Sequence, residues 1–234
     1  MGKMKSVKIC VIGGLGSAGR RYCAILKYLG IKYEIIDFDI PSSVYGMTAS
    51  QTFSNGDWDR AIIATPTDTH YSYSKALIKM GKSFLCEKPL SVSLEECEEL
   101  VKMDQEKLGS IVNNYFFAFG NSRQKPDLFY DYYHTGKDGL LWDCCQLLYL
   151  DPQCVLRNRS PIWTVRNGRT TLSYETLERS YITMIQCWLA NDHHLLWSLE
   201  DGLRMTRAVL NRLDCGDLGV GSMNAHIGIE GDNP

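Results

Sequence analysis

A chain of 234 residues, 44% of them hydrophobic, is long enough for one large or two small domains with a real core. Its 25 Lys and Arg against 27 Asp and Glu leave a net charge of −2, which offers no basic field to nucleic acid. No apolar run approaches a membrane span, and nine cysteines without C-x-x-C or metal-ligand spacing read as reduced thiols of a cytoplasmic protein that binds no metal.

The first element is a strand over residues 8–12. Lysines before it give the start of a signal-peptide pattern, but Lys8 and the glycines that follow interrupt it. The strand stops at Gly14-Leu15-Gly16-Ser17-Ala18-Gly19, a G-x-G-x-x-G loop ahead of a helix expected over Ser17–Leu29. In this order the first glycine makes the tight turn, the second lets a pyrophosphate reach the backbone, and the third lets the helix pack on the strand. The free N–H groups and positive dipole end of the helix, at Ser17 and Ala18, face the phosphates.

Tyr33–Ile36 reads as the second strand, and Asp37 closes it. An acid about 20 residues past the loop accepts hydrogen bonds from an adenosine ribose and repels a 2′-phosphate, which favours NAD over NADP. Asp39 is the alternative acid. Arg20 and Arg21 are either solvated helix residues or a preference for NADP.

Ala61–Ala64 followed by Thr65-Pro66-Thr67-Asp68-Thr69-His70 reads as a buried parallel strand entering a loop at its carboxyl end. Open α/β sheets bind ligands at that edge. A helix follows over Thr69–Met80, and the strand Ser83–Cys86 then delivers Glu87-Lys88-Pro89 to the same edge. Proline restrains the backbone beside Lys88 and allows a cis bond. A lysine near a positively charged nicotinamide would have its charged form disfavoured, which suits acid/base work. Ser93-Leu94-Glu95-Glu96 is a capping box. It opens a helix with Leu94, Cys97, Val101 and Leu108 on one face and Gly109 at its end.

Beyond Gly109 the pattern changes. Ile111–Phe117 reads as a strand opening a new sheet, and Leu140–Tyr149 as one helix. Ile162–Arg166 and Arg169–Leu172 flank Asn167-Gly168, a strong hairpin signal. Leu177, Tyr181, Met184, Ile185, Trp188 and Leu189 share a helix face, and Ser198–Asp201 caps a last helix to about Leu213. The expected organisation is a doubly wound parallel α/β sheet over 1–109, a small α+β domain for substrate and oligomerisation over 110–215, and a glycine-rich tail over 216–234.

The segments LGSAGRRY, IIATPTDTHYSYSKALIKMGKSFLCEKPLS and DGLRMTRAVL resemble the Gfo/Idh/MocA family of glucose–fructose oxidoreductases and inositol dehydrogenases, closely over residues 7–108 and thinly beyond. The resemblance implies a Rossmann domain, a nicotinamide cofactor and a sugar- or polyol-like substrate. Carried over by residue, it gives Gly14, Gly16 and Gly19 to the pyrophosphate and Asp37 to the ribose. Thr65, Pro66 and His70 then line the cofactor cleft, with Glu87 and Lys88 at the nicotinamide.

Two departures accompany the resemblance. The family's large second sheet, often used for dimerisation, is pared down, and a small sheet with exposed edges is covered in a homo-oligomer, a dimer or tetramer. The family's Asp-x-Gly-x-His is matched by Asp143-Cys144-Cys145-Gln146-Leu147, so leucine stands where a histidine base is expected. On one helix Asp143 and Leu147 would share a face. The expected activity is hydride transfer between nicotinamide and a sugar, nucleotide-sugar or cyclitol carbon, with Lys88 as acid/base and Asp143 orienting it or the substrate. His134 is a displaced second candidate. The alternatives are a dinucleotide-binding sensor that has lost the reaction, or an epimerase or glycosidase that recycles its cofactor.

Overall fold

The computed structural model describes residues 7–37, 56–120, 127–132, 137–157 and 160–214. The first sheet is built from β1 (Lys8–Ile12), β2 (Lys32–Ile36), β3 (Arg60–Ile63), β4 (Ser83–Cys86), β5 (Gly109–Ile111) and β10 (Trp197–Ser198). They lie in the order β10-β5-β4-β3-β1-β2, all parallel except β10, which runs antiparallel to β5. Growth of the sheet reverses between β1 and β3. In a doubly wound sheet that switch point opens the ligand crevice.

The strands are apolar on both faces because both faces are covered. Ile9 and Val11 join Tyr22 and Leu26 of α1 (Ser17–Tyr28) and Tyr181, Met184 and Trp188 of α7 (Tyr174–Leu189). Cys10 and Ile12 join Leu77 of α2 (His70–Lys79), Leu100 of α3 (Leu94–Met103) and Met205 of α8 (Leu199–Asp214). The box expected at Ser93 forms by half, since Ser93 N donates to Ser91 Oγ and not to Glu96, and the cap expected at Ser198 forms in full. Ser93 accepts from Glu96 N, while Ser198 N donates to Asp201 and Asp201 N donates back to Ser198 Oγ.

Three elements differ from expectation. α3 ends at Met103, because the Asp104 carboxylate accepts the N–H groups of Leu108 and Gly109 and turns the chain back. Leu108 is therefore in a connection, and Gly109 opens β5. A Cβ on Gly109 would lie 2.6 Å from Leu199 and 2.7 Å from Phe84. The run Ile111–Phe117 does not open a new sheet: Ile111 completes β5, and the aromatics continue as α4 (Asn114–Ala118), where Phe116 packs 6.0 Å from Trp197. Here tertiary packing overrides the strand preference of aromatic residues. Leu140–Tyr149 is divided into α5 (Lys137–Asp143) and α6 (Cys145–Leu150), with the break at Cys144.

The second sheet has the order β7-β6-β8-β9 from β6 (Leu128–Asp131), β7 (Val155–Arg157), β8 (Thr164–Asn167) and β9 (Thr170–Thr171). Leu128, Tyr130, Leu156 and Val165 are buried in one core with Leu140, Leu141, Leu147 and Leu148. The β8–β9 hairpin pairs Asn167 with Thr170, so its turn is Gly168-Arg169, one residue later than expected, with Gly168 at φ +56. The eight described cysteines are all free, and no described helix is long and apolar enough to cross a membrane.

Candidate functional site

β1 leads into the glycine loop, and the positive φ of the turn falls on Gly13 (+80°) and not on Gly14. Gly13 N donates to Ile36 O at 2.8 Å. Gly14 is small for another reason: a Cβ there would lie 2.6 Å from the Ile35 side chain. At Gly19 it would lie 2.1 Å from Gly13 O, so this glycine lets α1 pack on the turn. At Gly16 the nearest atom is 3.4 Å away, and the space above the backbone stays open. Gly16 is the N-cap of α1. No side chain caps this helix and no acid lies in its first turn. An uncapped positive helix end with an open glycine is what an anion requires.

Asp37 stands at the end of β2, and its Oδ2 accepts the Leu15 N–H at 2.8 Å, tying the loop to the strand. Arg20 folds back, donating from Nε to Leu15 O at 2.6 Å. Asp39 lies outside the described residues.

The loops after β1, β3 and β4 are joined at one edge. Ala64 N donates to Ile12 O and Glu87 N to Ile63 O. Thr69 Oγ1 meets both Thr65 Oγ1 and Pro66 O at 2.7 Å. His70, 1% exposed, spans two of these loops, with Nδ1 2.7 Å from Pro89 O and Nε2 2.9 Å from Thr65 O. Carbonyls only accept, so both ring nitrogens donate and the ring is an imidazolium. Burial opposes that charge, but Cys86 and the two carbonyls outweigh it and hold the pKa at about 9.

Glu87 and Lys88 follow β4, and the Lys88–Pro89 bond is cis. Glu87 is buried and accepts from Tyr22 OH at 2.6 Å and from Lys88 N at 3.1 Å. Lys88 Nζ donates to Asp143 Oδ1 at 2.7 Å and to the Asp143 carbonyl at 2.9 Å. Tyr130 OH donates to the other carboxylate oxygen, Oδ2, at 2.6 Å. Burial disfavours the Lys88 cation, but Asp143 outweighs it, and the pKa lies well above the ordinary lysine value. This reverses the expectation of a disfavoured charge. Burial and then the Asp143 charge push the Tyr130 phenol up as well.

His70, Glu87, Lys88 and Asp143 border one cleft of about 340 Å³ together with Ala18, Arg21, Thr65, Tyr115 and Trp163, whereas Gly14, Gly16, Ser17, Gly19 and Asp37 do not line it. Thr65, Pro66, His70, Glu87, Lys88 and Asp143 are thus brought together as the sequence suggested. Leu147 is not with them: it is fully buried on α6, beyond the break that follows Asp143, and it does not line the cleft. His134 lies outside the described residues. Sequence reasoning missed Tyr22 and Tyr130, whose hydroxyls hold the two carboxylates. A second cavity of about 490 Å³, bordered by Asp104, His193 and Glu200, contains none of the candidate site residues. No cluster of metal-ligating side chains occurs among the described residues.

Residues 37–115 match the family model of the Gfo/Idh/MocA oxidoreductases, NAD-binding Rossmann fold. Inositol 2-dehydrogenase 3 of Saccharopolyspora erythraea is 29% identical over 114 residues, 44% of this chain and 33% of that protein. The chain therefore spans about a third of the length of this curated relative. A Gfo/Idh/MocA family oxidoreductase from Vibrio cholerae superposes with a TM-score of 0.65 at 14% identity, covering 90% of this chain and 99% of the other. The WlbA (WbpB) dehydrogenase of Thermus thermophilus, solved with NAD and UDP-GlcNAcA, gives 0.61 at 14% identity, covering 88% and 94%. At these identities the structures share the fold.

Proposed function

We propose, from the match of residues 37–115 to the Gfo/Idh/MocA oxidoreductase model, that this chain is an NAD-dependent oxidoreductase of that family. It moves a hydride between nicotinamide and a carbinol or keto carbon of a sugar, nucleotide sugar or cyclitol. The observation that carries the reading is the Lys88–Asp143 pair, set in a cleft that Ala18 of the first turn of α1 also borders.

The residues present fit a dinucleotide. Gly16 leaves room over the backbone, the N–H groups of Ser17 and Ala18 lie at an uncapped helix end, and Asp37 stands at the tip of β2 for a ribose. A carboxylate there disfavours a 2′-phosphate, so the expected cofactor is NAD. When bound, the nicotinamide supplies hydride donor and acceptor chemistry.

The chain's own residues handle the proton. Lys88 has three donors, and two are used by Asp143. The third is open, among the described residues, to a substrate oxygen. In reduction the Lys88 cation stabilises the developing alkoxide and gives it a proton. In oxidation the amine must first be neutral to take that proton, and the Asp143 pair works against that form. Asp143 fixes the direction of Nζ, and Tyr130 fixes Asp143. Thr65 and Pro66 border the cleft.

A second reading is a dinucleotide-binding sensor without turnover. It is favoured by the lining of the cleft, whose one histidine among the described residues, His70, has both nitrogens engaged. Titration with NADH and NADPH, followed by energy transfer from tryptophan and then a keto-sugar screen, separates the two. Saturable NADH binding with hydride exchange supports the enzyme. Binding without exchange of any substrate supports the sensor, and no binding removes both.

A further inference from the structure

Arg21 differs from the other cations of the cleft. It lies on α1, one turn after Ala18, and both residues border the cleft. Its guanidinium carbon is 4.5 Å from the centre of the Tyr181 ring. Tyr181 is itself fixed: it is 6% exposed and packs edge-on against Tyr22, with ring centres 6.1 Å apart. A guanidinium over an aromatic face keeps its N–H donors at its edge, where they match a carboxylate or phosphate in a fork. Arg20 and Arg60 donate to main-chain carbonyls, Lys88 is held by Asp143, and His70 is held by two carbonyls. Arg21 makes no hydrogen bond or ion pair among the described residues. Glu87 is within electrostatic reach of it, but the oxygens of Glu87 already accept from Tyr22 and the Lys88 amide.

We propose that Arg21 is an anion-recognition residue, and that the cleft takes a ligand bearing a carboxylate or phosphate in addition to the carbon that reacts near Lys88. The proposal rests on the cleft being an oxidoreductase site, and it narrows the substrate to acidic or phosphorylated sugars. Two sources could present such a group: the substrate, or the pyrophosphate of the cofactor. The pyrophosphate already has the open end of α1 at Gly16–Ala18. Arg21 is a turn further along, beside Tyr181 and within reach of Glu87, the chain neighbour of Lys88. Trp163 and Tyr115, which also border the cleft, offer aromatic surface on which a sugar ring stacks.

The test uses the full chain, as wild type, Arg21→Met and Arg21→Lys. NADH affinity is measured by energy transfer. Binding of D-glucuronate, D-glucose 6-phosphate and D-glucose is then measured by saturation-transfer NMR, with and without saturating NADH. The side chain is exposed, and thermal melting checks that the variants fold. The expected result is that at least one anionic probe binds about tenfold or more tighter than glucose. That advantage is lost in Arg21→Met and partly returned in Arg21→Lys, while NADH affinity changes less than threefold. Failure of both anions to outbind glucose, or a preference that survives in Arg21→Met, overturns the proposal. A tenfold loss of NADH affinity in Arg21→Met with the sugar preference unchanged assigns the anion to the cofactor and overturns the substrate assignment. A wild type that binds no NADH but prefers the anions through Arg21 removes the oxidoreductase reading and leaves the anion site standing.

Discussion

Lys88 and Asp143 meet twice, through the side-chain carboxylate at 2.7 Å and through the main-chain carbonyl at 2.9 Å. The second contact falls where α5 stops and the chain breaks at Cys144. The lysine is thus bound to a helix end as well as to a charge, which fixes its direction more firmly than an ion pair alone.

If Lys88 handles the substrate proton, Lys88→Met lowers kcat by about 10²–10⁴-fold. NADH affinity stays within a few-fold, because the glycine loop and Asp37 are untouched. Tyr130→Phe keeps the ion pair and removes one donor to Asp143, so the fall is smaller, about tenfold. Steady-state kinetics with a substrate from the screen, beside NADH titrations, measures both.

Gly16→Ala and Gly19→Ala separate binding from folding. A methyl at Gly19 meets a backbone oxygen at 2.1 Å, which cannot move without shifting the turn. We expect a loss of about 1–3 kcal/mol or more and a lower Tm. A methyl at Gly16 meets nothing closer than 3.4 Å. Its stability should change by less than about 0.5 kcal/mol, while NADH affinity falls because the open space is filled. Equal effects of the two variants on Tm would contradict this assignment.

Asp37 should set the choice of cofactor. Asp37→Ala removes the carboxylate that faces a 2′-phosphate and the acceptor of the Leu15 N–H. NADH binding is expected to weaken by about tenfold, and the ratio of NADH to NADPH affinity to move toward one. Parallel titrations of the two cofactors give that ratio.

His70 makes stability depend on alkaline pH. Its pKa is raised from 6.5 to about 9 on folding. The contribution is therefore fully present below 6.5 and is lost as the pH rises through about 9. It amounts to something on the order of 3 kcal/mol. Urea unfolding at pH 6.5 and pH 9.5 should show a larger drop for the wild type than for His70→Gln. Parallel behaviour of the two proteins would show that the ring is neutral in the fold.

Much of the first sheet could be read from sequence because its signals are local. An apolar run, a glycine loop, Asp37 and Glu87-Lys88-Pro89 all sit on strand ends, and the parallel topology brings strand ends together. Gly13 was harder to see, since adjacent glycines look alike until the backbone assigns the positive φ. Two misses have different causes, one local and one distant. α3 stops early because Asp104 reaches forward to two amides, and the aromatics after Ile111 turn helical against Trp197, far along the chain. Tyr130 looks like an ordinary inward strand residue, and only the packing of the second sheet shows that its hydroxyl ends on Asp143.

β10 carries a consequence for biosynthesis. Trp197 and Ser198 pair with Ile111 and Ser110, and α7 and α8 cover the two faces of a sheet begun at residue 8. During translation the outer edge of β5 stays bare until residues near 198 leave the ribosome. An unpaired edge with uncovered apolar faces is a site for association with other chains. The nascent protein should therefore depend on chaperones late in synthesis, and fragments cut after residue 120 should collect in inclusion bodies instead of yielding a free nucleotide-binding half.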